Sequence, residues 1–253
     1  MKHRAIICGA GRIGVGRNWI ETPYCYTHAG AYAALKDRVE LVGVVDTDYE
    51  AGTWASIKWD VPWYPDLRGA LSLLKPQIVS ICTPPTDRQN IIDLCQEYGV
   101  SGIWCEKPFA ATVSPHRIGG SMKVQVNYIR RFDRRHWYCV NSGDMAELWV
   151  WAKKDIHTVC HFSDLARYWG IPRERFHYFE MNGPNSYLIT NRDDPEAGTR
   201  FFPLGGIPEN STFMVDALSN LLDAVEGKAE LISPPESAIE SEKWADEILK
   251  GIA

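Results

Sequence analysis

The run Gly9-Ala10-Gly11-Arg12-Ile13-Gly14 lies between two apolar, strand-like segments, Ala5-Ile6-Ile7-Cys8 and Val39-Glu40-Leu41-Val42-Gly43-Val44-Val45, and the second of these ends at Asp46. A glycine pattern alone is weak evidence. Flanked in this way, it constrains the chain to a strand, a tight turn and a helix whose first amides can face an anion. Gly9 permits the turn, Gly11 lets backbone amides approach a pyrophosphate, and Gly14 lets the helix pack closely; Arg12 and Ile13 lie in the same turn. An acid at the end of the second strand can accept hydrogen bonds from both adenosine ribose hydroxyls and repels a 2′-phosphate. Asp46 therefore favours NAD over NADP as cofactor.

The alternation continues to residue 105, with strands at 4–8, 40–45, 77–82 and 101–105 and helices near 28–36, 66–74 and 87–98. Such βαβ units read as a doubly wound parallel sheet with helices on both faces. The stretch from Val15 to Tyr26 is long and aromatic for a phosphate turn, and it reads as an insertion beside the cofactor cleft. After Lys107 the pattern changes to strands at 122–129, 146–153, 176–181, 186–190 and 199–203, with helices near 157–169, 211–226 and 236–250. The fold class is α/β: an N-terminal Rossmann domain over 1–106, then an α+β domain with a largely antiparallel open sheet over 107–253. The terminal helix is expected to be able to pack back on the first domain. The stretch Asn191 to Gly198 reads as a polar turn between strands.

With 253 residues and a net charge of -5, the chain carries no field that would draw nucleic acid or an anionic membrane. No run approaches the ~20 apolar residues of a membrane span, and the N-terminus has no cleavable leader pattern, so a cytoplasmic protein is expected. The seven cysteines include no CxxC pair, and those in strands read as small apolar residues.

Two further clusters carry chemistry. Cys105-Glu106-Lys107-Pro108 places an amine at the end of an apolar run, at the sheet edge where ligands of such folds bind. His157, Cys160, His161 and Asp164 fall at i, i+3, i+4 and i+7, on one face of a helix. Two histidines one turn apart could hold zinc, but neither a HExxH pattern nor a cysteine pair supports it, and no metal is expected. Hydride transfer at a carbinol carbon needs a held cofactor, a group that polarises the reacting oxygen and an acid/base for its proton. Lys107 suits the second task and His161 the third, while Asp164, one turn on, could orient the helix or the imidazole.

In the order of these landmarks, together with Cys82-Thr83-Pro84-Pro85, the segment Val126-Asn127-Tyr128-Ile129-Arg130-Arg131-Phe132-Asp133, and His161-x-x-Asp164 ending at Trp169-Gly170, the chain resembles the Gfo/Idh/MocA oxidoreductases. The resemblance implies that Thr83, Pro84, Glu106 and Lys107 join the glycine turn and Asp46 around the cofactor. It also implies that Lys107 and His161 flank the substrate carbinol. Asn127, Tyr128, Arg130 and His157 are the remaining substrate-binding candidates. Three departures stand out: His157 replaces the usual aspartate four residues before the histidine, Arg88 replaces a histidine after the proline loop, and the segments at 107–127 and 133–157 look shorter than usual. His157 then reads as a neutral hydrogen-bonding partner for the substrate. Arg130 and Arg131, read as adjacent on one strand, must face opposite ways, so one guanidinium could bind a carboxylate or phosphate, with a sheet-face salt bridge as the alternative.

The resulting expectation is an NAD(H)-dependent oxidoreductase acting on a hydroxyl or keto carbon of a sugar, cyclitol or derivative. The resemblance implies a homo-oligomer, dimer or tetramer, formed through the C-terminal sheet, where Trp149 and Trp151 share a strand face. The alternatives are a cofactor-binding regulator or sensor of the same fold that has lost catalysis, and a reductase of a non-sugar carbonyl or double bond.

Overall fold

The computed structural model describes residues 2–18, 26–109, 113–132, 146–152, 155–180, 186–191, 200–203 and 212–251. The chain divides into two compact units, residues 1–127 with 210–236, and 128–209 with 237–253.

In the first unit, β1 (His3–Cys8) leads through a single helical turn, α1 (Arg12–Val15), to α2 (His28–Ala34), β2 (Val39–Val45), α3 (Tyr49–Trp59), β3 (Trp63–Tyr64), α4 (Leu67–Leu74), β4 (Ile78–Ile81), α5 (Arg88–Glu97), β5 (Gly102–Cys105) and β6 (Lys123–Val126). The six strands form one parallel sheet in the order β3-β2-β1-β4-β5-β6. Every residue of β4 and β5 is buried, as expected of strands with both faces covered. Helices begin where a side chain can satisfy an open backbone amide: Thr27 accepts from Gly30 N, Asp48 from Ala51 N and Asp66 from Gly69 N.

The expected elements up to residue 105 are present, and α1, α3 and β3 occur besides. The α3 helix is hidden in the sequence because its apolar side chains do not form one stripe: Tyr49 and Ile57 are 70% and 79% exposed, while Ala51 and Ala55 are buried. The β3 strand has only two residues. The segment expected as the first strand of the second domain is instead the four-residue β6, and it pairs in parallel with β5. This pairing moves the boundary from 106/107 to 127/128. Residues 19–25 of the expected insertion lie outside the described residues.

The second unit contains β7 (Ala146–Ala152), α6 (Ile156–Tyr168), β8 (Phe176–Glu180), β9 (Ser186–Asn191) and β10 (Arg200–Pro203). Among the described residues the sheet order is β10-β9-β7-β8, with β9 antiparallel to both neighbours and β8 parallel to β7. Leu148 and Val150 of β7 pack against Phe162, Leu165 and Ala166 of α6 in one buried cluster. The side chains of Trp149 and Trp151, and residues 192–198 of the expected polar turn, lie outside the described residues.

Two helices follow, α7 (Phe213–Val225) and α8 (Pro235–Lys250). The α7 helix belongs to the first unit, and α8 from Ser237 onward belongs to the second. The helix that packs on the Rossmann sheet is therefore the penultimate one. At Gly102 of β5 an added Cβ would lie 2.8 Å from Val225, so that glycine lets α7 approach the sheet.

Candidate active site

The sheet reverses its winding between β1 and β4, and the crevice beyond their carboxyl ends is the ligand position of open α/β sheets. A cavity of ≈ 710 Å³ opens there, lined by Cys8, Gly9, Gly11, Asp46, Cys82 and Thr83 among others. The three glycines differ in what a side chain would meet. Gly9 has φ +101°, and a Cβ would sit 2.8 Å from the Cys82 carbonyl carbon. At Gly14 a Cβ would collide with Gly9 O at 2.2 Å, whereas at Gly11 it would meet nothing within 4 Å. Gly9 and Gly14 are thus required by the fold itself, and Gly11 faces open space. That is the arrangement a pyrophosphate needs to reach backbone amides. Arg12 and Ile13 lie on α1, a single turn closed by Gly16 at φ +83°, so the local amides rather than a long helix dipole serve the anion.

Asp46 ends β2, and its carboxylate is fixed from both sides, Oδ2 accepting from Ala10 N at 2.6 Å and Oδ1 from Asp48 N at 2.9 Å. Each oxygen retains lone-pair capacity for a ribose hydroxyl. Around it the thiols are inert: burial, and then the Asp46 charge, pushes the Cys8 thiol up to about 12, and burial raises Cys82 well above the usual thiol range. Among the described residues Cys8, Cys82, Cys95, Cys105 and Cys160 are thiols outside any disulfide, and all but the half-buried Cys82 are buried. They behave as the small apolar residues expected.

At the end of β5 the chain is held firmly. Glu106 N donates to Ile81 O, and the Lys107–Pro108 bond is cis. The buried guanidinium of Arg88 donates to the carbonyls of Glu106 and Pro108, to Thr83 O at 2.9 Å and to Lys107 O at 3.4 Å. It thereby ties the Thr83-Pro84 loop to the backbone of Lys107. Glu106 is itself buried and accepts from His28 Nε2 at 3.1 Å and from Asn127 Nδ2. Burial opposes its ionisation, but the hydrogen bonds from His28 and Asn127 and the Lys107 charge outweigh it and hold the carboxyl below its usual range. Asn127, a substrate-binding candidate from the sequence, is committed here: its Oδ1 accepts from Trp104 Nε1 at 3.1 Å. The Arg88 clamp and the partners of Glu106 escaped the sequence reading. Their one visible sign was the arginine in place of histidine at position 88.

In the second unit the helix α6 starts at Asp155, whose side chain caps Thr158 N at 2.9 Å. His161 is half-buried and meets the Tyr128 ring edge-on at 5.9 Å. Tyr128 is fully buried, and its hydroxyl donates to Glu242 at 2.8 Å. The four residues expected on one helical face differ in environment: Cys160 and Asp164 are buried, His161 is half-buried and His157 is exposed. Among the described residues no three His, Cys, Asp or Glu side chains form a metal-binding group.

The structure selects between the two roles expected of Asp164 and corrects the strand placement of the two arginines. Strand β6 ends at Val126, and Ile129–Phe132 is a 3-10 turn, so Arg130 and Arg131 do not alternate across a sheet. Arg131 is 2% exposed and grips Asp164, donating from Nε to Oδ2 at 2.9 Å and from Nη2 to Oδ1. Asp164 also accepts from Ser241 Oγ at 2.9 Å. Its carboxylate thus anchors α6 rather than the imidazole, and Arg131 forms a buried salt bridge from a turn to a helix, not the expected one on a sheet face. The Arg130 guanidinium lies 5.9 Å from the centre of the Phe162 ring.

The family model of the Gfo/Idh/MocA oxidoreductases, NAD-binding Rossmann fold, matches residues 3–117. That match covers the N-terminal part of the chain, from β1 past the end of β5. No curated protein sequence matches the chain. Among solved structures it is similar to the myo-inositol dehydrogenase of Corynebacterium glutamicum (14% identity, 99% of this chain and 96% of that one, TM-score 0.74). It is also similar to the myo-inositol 2-dehydrogenase of Lactobacillus plantarum (14%, 99% and 97%, 0.72). A third is the WlbA dehydrogenase of Bordetella pertussis, solved with NADH and UDP-GlcNAcA (14%, 95% and 93%, 0.69). These likenesses, each at 14% identity, show a shared fold. Among the described residues no helix is long and apolar enough to cross a membrane.

Proposed function

We propose that the protein is an NAD(H)-dependent dehydrogenase that moves a hydride between nicotinamide and a hydroxyl-bearing carbon of a sugar, cyclitol or sugar derivative. The observation that carries this reading is the crevice between β1 and β4, with open space at Gly11 and a fixed carboxylate at Asp46; Lys107 follows β5 at the same carboxyl edge of the parallel sheet. Bound there, the cofactor supplies the hydride donor or acceptor. Gly9 to Gly14 hold its pyrophosphate, and Asp46 receives the adenosine ribose and disfavours a 2′-phosphate. Thr83 and Pro84 form the opposite wall. Lys107 donates to the reacting oxygen and stabilises the charge that develops on it. His161 takes or returns the hydroxyl proton, with His157, one turn earlier on α6, as a hydrogen-bonding partner of the substrate. The inositol and nucleotide-sugar dehydrogenases that share the fold support the substrate class.

The test is NADH binding by fluorescence, followed by turnover across a panel of cyclitols, aldoses and nucleotide sugars read by nicotinamide absorbance. Lys107→Ala should bind NADH as the wild type does and lose roughly 10²- to 10³-fold in kcat. Absence of NADH binding removes the reading altogether. Binding without turnover on any member of the panel favours a sensor of the same fold.

A further inference from the structure

We propose that Arg88, the first residue of α5, is a positioning residue whose guanidinium spans the loops after β4 and β5 and so fixes the backbone of Lys107 against the Thr83-Pro84 wall of the crevice. The inference rests on the reading of Lys107 as the group that polarises the substrate oxygen, and it adds to the site a side chain outside the lining of the cavity.

Arg88 is 2% exposed and reaches both loops at once. On one side its Nε and Nη2 donate to Thr83 O at 3.3 and 2.9 Å. On the other its Nη1 donates to the carbonyls of Glu106 and Pro108, and its Nη2 to that of Lys107 at 3.4 Å. Among the described residues every hydrogen-bond acceptor of Arg88 is a backbone carbonyl. The contact therefore fixes the course of the chain rather than pairing two charges. A planar guanidinium with five N–H donors can fork to acceptors on either side of itself, which the single nitrogen of a lysine cannot do. Farther along α5, other side chains hold the described parts of the segment between β5 and β6: Gln89 Oε1 accepts from Ser114 N at 2.7 Å, Asp93 from Arg117, and Gln96 Oε1 from Gly119 N at 2.9 Å. Arg88 is the tie nearest Lys107.

Stability alone is a poor reason for this arrangement. Taking a guanidinium out of water without a carboxylate partner is costly, and an apolar side chain fills such a space without that cost. The carbonyls need donors, and water can supply those, but water does not hold two loops at a set separation. The contacts also have a direction. Strands β4 and β5 are neighbours in the sheet, so the loops that follow them leave adjacent strand ends, one toward the wall of the crevice and the other toward Lys107. A lysine side chain is flexible, and what the fold can fix is the backbone that carries it. An error of about 1 Å in the placement of a group that must meet a reacting atom can cost roughly 10²-fold in rate, so a rigid tie between cofactor wall and amine has a value that packing does not.

Two measurements on the full-length protein test the inference: steady-state kinetics beside NADH binding, and amide hydrogen exchange read by mass spectrometry without cofactor or substrate. Arg88→Ala should bind NADH within about threefold of wild type, because pyrophosphate and ribose are held elsewhere, and should lose roughly 10- to 100-fold in kcat. Exchange should quicken about tenfold or more in peptides over 82–87 and 104–109 and keep the wild-type rate over 5–14 and 39–46. Added methylguanidinium, which matches the part of the side chain removed, should raise kcat of this variant at least about fivefold and slow exchange in the same two peptides. Arg88→Lys keeps the charge and loses the fork, so its kcat should fall about tenfold or more. If Arg88→Ala does not fold, Arg88→Lys decides by the same two measurements. Wild-type kcat, wild-type exchange over the two loops, or quickened exchange spread evenly over the whole unit would each overturn the proposal, the last being the mark of a merely structural side chain. An inactive wild type defeats the dehydrogenase reading on which the positioning role rests, whereas unaffected variants of an active enzyme defeat the positioning role alone.

Discussion

The three glycines of one turn carry separate burdens. A methyl at Gly14 would meet Gly9 O at 2.2 Å, and backbone cannot yield that far without moving β1 or α1. A methyl at Gly11 meets nothing of the protein. Gly14→Ala should therefore cost roughly 2–4 kcal/mol of stability in urea unfolding, in the range of strained or overpacked sites. Gly11→Ala should unfold like the wild type yet bind NADH about tenfold or more weakly, because its methyl occupies space the pyrophosphate needs. Equal stability loss in both variants would show that the turn serves folding alone. The Asp46 carboxylate is similarly local in origin: a strand-end acid two residues before the Asp48 amide closes on that amide by chain geometry.

At the scale of elements, α6 is seated by one buried ion pair. Arg131, on the turn after Tyr128, meets Asp164 with both partners about 1% exposed at the side chain, and Ser237 and Ser241 complete the cluster. A buried pair of this kind adds little net stability over apolar residues, but removing one partner leaves an uncompensated charge. Arg131→Leu and Asp164→Leu should each destabilise by roughly 3–5 kcal/mol, while the double variant should recover most of that loss. Strict additivity in denaturant titrations would show that the two side chains do not act as a pair. His161 lies one turn before Asp164, so the single variants should also depress turnover, and the double variant should recover it along with the helix.

Across the whole molecule, what was legible in the sequence was local. The glycine turn, Asp46 and the order of strands and helices to residue 105 follow from periodicity and turn chemistry within a few residues. What was missed depends on distant partners. His28 gains its meaning from Ser80 and Glu106, 52 and 78 positions away. Arg131 is defined by Asp164, 33 positions on, and β6 by its pairing with β5. The largest consequence is the discontinuity of the first unit, which takes its last helix from residues 213–225. That helix buries Met214, Leu218, Leu221 and Leu222, receives Gln125 Nε2 at Ala217 O, and meets Arg38 through Ser219 and Asp223. Full burial of four such side chains contributes roughly 6–12 kcal/mol, as much as the whole net stability of a typical domain. A chain truncated after Asn127 should therefore fail to unfold cooperatively and should bind an apolar dye. The same chain joined by a flexible linker to residues 210–236 should unfold in one transition and bind NADH. Cooperative unfolding of the truncated chain by itself would mean that α7 only covers the sheet, and that the Rossmann unit ends where its last strand does.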